Sequence, residues 1–229
     1  MIWLYIGIIL IIVLGIKFYR LKIHIDFKSF FKRGFKKLDN QFGLFAYIGK
    51  QGKGKTYSAI KFITEQKFKH GYVVITNVRS YNAYKDTIYM SDINDIIDFV
   101  NANYKKTKFI IFYDEIFTIL EKRTPINKKI LSFISQLRKK KIIMVTTAQE
   151  WSEINITFRR YCRYQIDCNM FSMPFTRTAF IFNRINDGDK IKWSNDLQEF
   201  VAPTIASNFA KCEKKVINSY DTFEVIDTH

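Results

Sequence analysis

Apolar positions run from Met1 to Ile16 with no charged residue among them. As a helix that run spans roughly 24 Å at ~1.5 Å per residue, short of the ~30 Å hydrocarbon core of a bilayer. Lys17 can snorkel, and Phe18 and Tyr19 extend the apolar body toward the interface. Basic residues follow the run instead of preceding it: Lys17, Arg20, Lys22, Lys28, Lys32, Arg33, Lys36 and Lys37. That order is the reverse of a cleaved signal peptide. The pattern predicts an uncleaved, single-pass transmembrane anchor over residues 1–19, with the body of the protein cytoplasmic. In residues 20–40 the period changes. Phe27, Phe30, Phe31, Phe35 and Leu38 share one helical face, and lysines with Arg33 fill the other. This is the pattern of a basic juxtamembrane helix lying among headgroups.

From residue 41 to 229 the patterning is that of one folded domain. A short apolar run over residues 43–49 ends in glycine, and helical spacing follows through "YSAIKFITEQ". Residues 72–76 read as a strand, and residues 92–101 as a helix capped by Ser91 or Asp92. The run "FIIFY" at residues 109–113 is of buried-strand type. Ile130, Phe133, Ile134 and Leu137 fall on one face of a helix whose basic end suits the helix dipole. A further strand is predicted over residues 141–149. "TRTAFIFNRINDGDKIKW" reads as a hairpin turning at residues 186–189, and "SNDLQEFVAPTIASNFAKC" as helical.

Composition adds a partner class. Lysine and arginine total 37 against 21 acids, a formal net charge of +16. An excess of that size points to polyanions, whether nucleic acid or anionic lipid, although a compositional bias toward lysine gives the same count. Cys162, Cys168 and Cys212 form no Cys-x-x-Cys pair and read as buried thiols of a reducing compartment. His24, His70 and His229 form no constellation.

The chemistry is concentrated in Gly49, Lys50, Gln51, Gly52, Lys53, Gly54, Lys55 and Thr56, followed by Tyr57. This is G-x-x-x-x-G-K-[ST] between a strand and a helix, the setting that the Walker A motif requires. Glycines let backbone N–H groups turn inward around phosphate oxygens, and the helix start adds its positive dipole end. Lys55 is expected to reach the β- and γ-phosphates of ATP, and the Thr56 hydroxyl to ligate Mg2+. A second carboxylate site is needed on a neighbouring strand. "KFIIFYDE" supplies it: Asp114 for Mg2+ and Glu115 as general base for the attacking water. Thr146, Thr147 and Gln149 end the next strand, where Gln149 is placed to sense the γ-phosphate or orient the water.

The order of these motifs resembles the FtsK/HerA superfamily of P-loop ATPases. It runs Walker A, Walker B ending in Asp-Glu, "SQLRKKK", a strand ending in glutamine, then "EWSEINITFRRYCRYQI". "VVITNVRSY" and "DEIFTILEKR" are similar to the Zot-like branch, which includes filamentous-phage assembly ATPases and neighbours viral DNA-packaging ATPases. The resemblance implies an α/β, RecA-like P-loop fold, with a mainly parallel central sheet flanked by helices. It also implies a homo-oligomeric ring, commonly a hexamer, that moves DNA alongside phage or virion assembly proteins. In such rings an arginine completes the neighbouring subunit's site. Arg138 matches that position best, with Arg159, Arg160 and Arg163 as competitors. The chain departs from the filamentous-phage pattern in carrying its apolar segment before the ATPase. Two alternatives stay open: a conjugative DNA-transfer ATPase, and a nucleotide-binding scaffold at the membrane.

Overall fold

The computed structural model describes residues 2–20, 38–81, 86–116, 125–173, 178–194 and 199–221. Helix α1 covers Ile2–Arg20. Strand β1 (Gly43–Ile48) leads into α2 (Lys55–His70). β2 (Val73–Thr76), β3 (Ile88–Tyr89), α3 (Ile93–Asn103) and β4 (Phe109–Tyr113) follow. Next come α4 (Lys128–Gln136), β5 (Ile143–Ala148), α5 (Ile156–Tyr161), β6 (Cys162–Met173) and β7 (Thr178–Asp187). The chain continues with β8 (Lys192–Ser194), β9 (Glu199–Val201), β10 (Thr204–Lys211) and α6 (Lys214–Ile217).

Eight strands form one sheet in the order β10-β7-β6-β1-β5-β4-β2-β3. From β6 to β3 every pairing is parallel; β7 and β10 add antiparallel at the other end. The expected mainly parallel α/β sheet is therefore present. Strand alternation sorts the core into two layers. Phe45 and Tyr47 of β1 pack with Ile60, Phe62 and Ile63 of α2 on one face. Leu44, Ala46 and Ile48 pack on the other with Ile96 and Ile97 of α3 and Phe133 and Ile134 of α4. The predicted apolar face of α4 is buried, Leu137 just beyond it included. α3 begins at Ile93, with the Asp92 carboxylate accepting from the Asn94 N–H at 2.7 Å. All three cysteines are free and buried.

Four expectations are corrected. The Walker B strand does not neighbour the Walker A strand: β5 lies between β1 and β4. The hairpin at residues 186–189 does not form. The Asp187 carboxylate accepts from the Asp189 N–H at 3.1 Å and closes a 3-10 turn, after which β8 pairs with β9 instead of returning along β7. The helix predicted within residues 194–212 is instead strand: β9 and β10. Ile205 and Phe209 are four apart, a helical spacing, but the open edge of β7 captures the segment as an antiparallel partner. Finally, no helix among the described residues is long and apolar enough to cross a membrane. α1 has 19 residues and reaches about 28 Å, so the expected transmembrane span is not supported. The side chains described from Tyr5 to Ile16 are nonetheless exposed, the large apolar ones at 46–62%. The juxtamembrane helix expected over residues 20–40 falls almost wholly outside the described residues.

Candidate active site

β1 delivers the chain to the loop at the C-terminal edge of the parallel sheet. The Gly49 N–H donates to the Ala148 carbonyl at 3.2 Å and so extends the ladder by one rung. A Cβ on Gly49 would lie 2.9 Å from the Cys168 carbonyl oxygen, so only glycine fits between these strands. Gly54 has φ 78 and caps α2 without a side-chain acceptor. A Cβ there would lie 2.8 Å from the Met170 methyl. The first-turn N–H groups of α2 thus receive no side-chain cap, which is the arrangement of an anion-binding helix start.

Asp114 is the electrostatic centre. Its carboxylate accepts from the Thr56 hydroxyl at 3.3 Å and from the Thr147 hydroxyl. Its backbone is clamped by Asn77: the Asp114 N–H donates to Asn77 Oδ1 at 2.8 Å, and Asn77 Nδ2 donates to the Asp114 carbonyl at 3.2 Å. Burial pushes the Asp114 carboxyl up to about 6, with the charge of Glu115 adding to the rise. The Thr147 hydrogen bond, the Lys55 ammonium and the Thr56 hydroxyl oppose it. A buried carboxylate held against a hydroxyl and a buried lysine (Lys55 is 9% exposed) fits the oxygen donor set of Mg2+ bound with a polyphosphate. Glu115 follows with φ 52, a left-handed conformation costing about 1–3 kcal/mol in a non-glycine residue. Its N–H donates to Thr147 Oγ1 at 2.9 Å. Thr147 therefore ties β5 to both acidic residues.

A cavity of 460 Å³ joins these groups. Gln51, Gly52, Gly54, Lys55, Thr56, Tyr57, Asp114, Glu115 and Gln149 all line it. Lys50 and Lys53 are exposed and do not line it, and Gly49 serves the strand end. Tyr57 turns its hydroxyl elsewhere, accepting the Glu213 N–H at 2.8 Å. Arg138 is not brought to its own chain's cavity. It pairs with Asp189 and packs beside Gly43, at the N-terminal end of β1, about 20 Å along the strand. Arg163 lies at that same end, donating to the Phe42 carbonyl at 2.8 Å.

Sequence reasoning missed one wall of the cavity. Tyr220 and Asp221 line it from the C-terminal segment, and Val78 and Met170 from two strand regions. Three tethers hold that segment down. Lys61 Nζ meets Glu213 at 2.8 Å, the Cys212 N–H donates to the Ala179 carbonyl at 2.8 Å, and the Asp221 N–H donates to Ser80 Oγ at 2.8 Å. Burial, with the nearby Asp114 charge, pushes the Tyr220 phenol well up. No local pattern marks Tyr220; only its packing against the α2-side core shows it. Asn77 carried a faint signal as the polar residue just after β2, but only the β2–β4 register sets it against Asp114.

Among solved structures, the chain is similar to the genome packaging NTPase B204 from Sulfolobus turreted icosahedral virus 2, in complex with ATP-gammaS. The identity is 12%, the match covers 71% of this chain and 97% of that one, and the TM-score is 0.51. It is also similar to the N-terminal domain of zonular occludens toxin from Neisseria meningitidis. There the identity is 12%, the coverage 79% and 100%, and the TM-score 0.51. At these identities the likeness shows the fold alone. No curated protein matches the chain by sequence. A family model, the ATPase family associated with various cellular activities (AAA), matches residues 45–170. That match covers more than half of the chain and contains the Walker A loop, Asp114, Glu115 and Gln149, so this protein belongs to the AAA family of P-loop ATPases.

Proposed function

We propose that this chain is a membrane-associated motor of the FtsK/HerA type, which couples ATP hydrolysis to DNA movement in phage or virus assembly. The observation that carries the reading is the cavity itself: Lys55, Thr56, Asp114, Glu115 and Gln149 converge on it from three parallel strands. Lys55 and the α2 N–H groups hold the β- and γ-phosphates, and Thr56 with Asp114 holds Mg2+. When bound, that ion neutralises charge developing on the transferred phosphoryl group. Glu115 takes the proton of the attacking water, and Gln149 orients that water. Arg138, remote from its own cavity, is assigned to the neighbouring subunit's cavity in a homo-oligomeric ring.

Movement of DNA is supported by the net charge of +16 and by fold similarity to a genome packaging NTPase. Membrane association is supported by the exposed apolar surface of α1, with the ATPase domain on the cytoplasmic face. An ATPase assay on an oligomeric preparation, with and without single- and double-stranded DNA, tests the motor. Faster turnover with DNA is expected; unchanged turnover removes the motor and leaves a nucleotide-dependent scaffold. Deleting residues 1–37 is expected to release the protein from vesicles, and retention would end the assignment of α1.

A further inference from the structure

The antiparallel extension has two unlike faces. On β6, Tyr164, Ile166 and Cys168 join the α2-side core, so Gln165, Asp167 and Phe171 fall on the opposite side. On β7, Ile181 and Ile185 join that core, which sets Phe180 and Arg184 opposite. A groove of 730 Å³ opens on this second face, between α5 and the β8–β9 pair. Arg159, Arg160 and Arg184 line it, against Asp167 as the acidic group.

The charge of Asp167 is already engaged. Gln165 Nε2 donates to it at 2.9 Å and Asn186 Nδ2 at 2.8 Å, with Arg184 at 4.0 Å. No ion pair among the described residues engages Arg159 or Arg160. Arg159 lies over the Trp151 ring at 6.0 Å, and its Nε is buried without a hydrogen-bond partner. Four residues beyond Asp167 on β6, about 13 Å along the strand, Phe171 begins an aromatic patch. The rings of Phe171, Phe180 and Phe209 are near-parallel, with centroids 5.4–5.8 Å apart. Phe171 is 43% exposed.

We propose that this face binds single-stranded nucleic acid, with phosphates in the arginine groove and bases against Phe171 and Trp151. Arg159 and Arg160, without an ion-pair partner among the described residues, suit phosphate oxygens, and Arg184 shares Asp167 with two amide donors, which leaves guanidinium N–H groups for a phosphate. Aromatic rings on a sheet face suit unpaired bases, whereas a duplex hides its base faces in the stack. The proposal deepens the DNA-linked reading of function and rests on it.

Fluorescence anisotropy of a labelled oligothymidylate, titrated across a range of salt concentrations, tests it. Phe171→Ala is expected to weaken binding about tenfold, the typical loss of one base stack. Arg184→Glu is expected to flatten the salt dependence by about 0.7 in log–log slope, the share of one phosphate contact, while Arg184→Lys retains the slope. Basal ATPase activity and oligomeric mass in sedimentation should stay at wild-type values in all three. Wild-type affinity and slope in Phe171→Ala and Arg184→Glu would overturn the groove while leaving the motor standing. Lost binding together with lowered oligomeric mass would also overturn it, showing the face to be a contact between copies. A wild-type protein that binds no oligonucleotide, single- or double-stranded, would remove the DNA-linked reading as well.

Discussion

The parallel half of the sheet and its antiparallel extension solve different problems. β1, β4 and β5 are buried along their whole length, because helices cover both faces, and such strands read as continuous apolar runs. β6, β7 and β10 alternate, one side joining the α2 core and the other carrying arginines and phenylalanines. The first region can therefore hold three strand ends rigidly around a nucleotide, and the second presents a broad face to something outside. The C-terminal segment ties them together, since it runs from β10 across α2 to the rim of the cavity.

Arg138 tests the division most severely, because it belongs to the parallel half yet pairs with Asp189 of the extension. Arg138→Ala is expected to lower turnover about 10³-fold or more, as for an arginine acting in trans. Mixing it with subunits that lack Lys55 but keep Arg138 should restore activity; a mixture that stays dead ends the trans role. Stability should change by less than about 1 kcal/mol, because the pair is half exposed.

Glu115→Gln probes the parallel half alone. Turnover is expected to fall about 10²–10⁴-fold with ATP binding retained. Persistent hydrolysis in a single-turnover assay would remove Glu115 as the base.

The contribution of the C-terminal segment that joins the two regions is read from Tyr220→Ala. Loss of that wall should raise the nucleotide Kd about tenfold, equivalent to about 1.4 kcal/mol. An unchanged Kd in a fluorescent-nucleotide titration would mean that the C-terminal segment packs beside the cavity without serving it.

The pH dependence reads the buried carboxylate of the parallel half. Asp114 is raised to about 6 in the fold from a usual carboxylate value near 4. Protonation therefore favours the nucleotide-free fold: this stabilisation is complete below the unfolded value and is lost as pH rises through about 6. Its size is on the order of 2–3 kcal/mol. In urea titrations, Asp114→Asn should abolish that part of the pH dependence. Nucleotide with Mg2+ needs the ionised carboxylate, so wild-type affinity should weaken as pH falls below about 6. An affinity flat between pH 5 and pH 7 (about one unit either side of that value) would contradict the buried, raised carboxylate.

Much of the parallel half was legible because its signals are local. The glycine positions of the Walker A loop answer to steric demands within a few residues, and "FIIFYDE" carries its strand and its carboxylates together. The four-residue spacing of Ile205 and Phe209 suits a helix as well as a strand, so the local pattern does not separate the two. Tyr220 and the placement of β5 between β1 and β4 left no local trace, and the faint signal of Asn77 gained its meaning only from the β2–β4 register, since each depends on which elements become neighbours.

The sequence by itself pointed to the nucleotide chemistry, because the glycine spacing with Lys55 and Thr56 is the pattern by which a strand–loop–helix turn cradles a polyphosphate. It also showed an uncharged apolar run from Met1 to Ile16, whose exposure the structure then supplied. Only the tertiary structure decided that Thr147 hydrogen-bonds both acidic residues, that Tyr220 walls the cavity, and that the arginines and phenylalanines share one face of the extension. Those outcomes come from strand order and register, which join residues tens of positions apart through pairings that no single segment specifies.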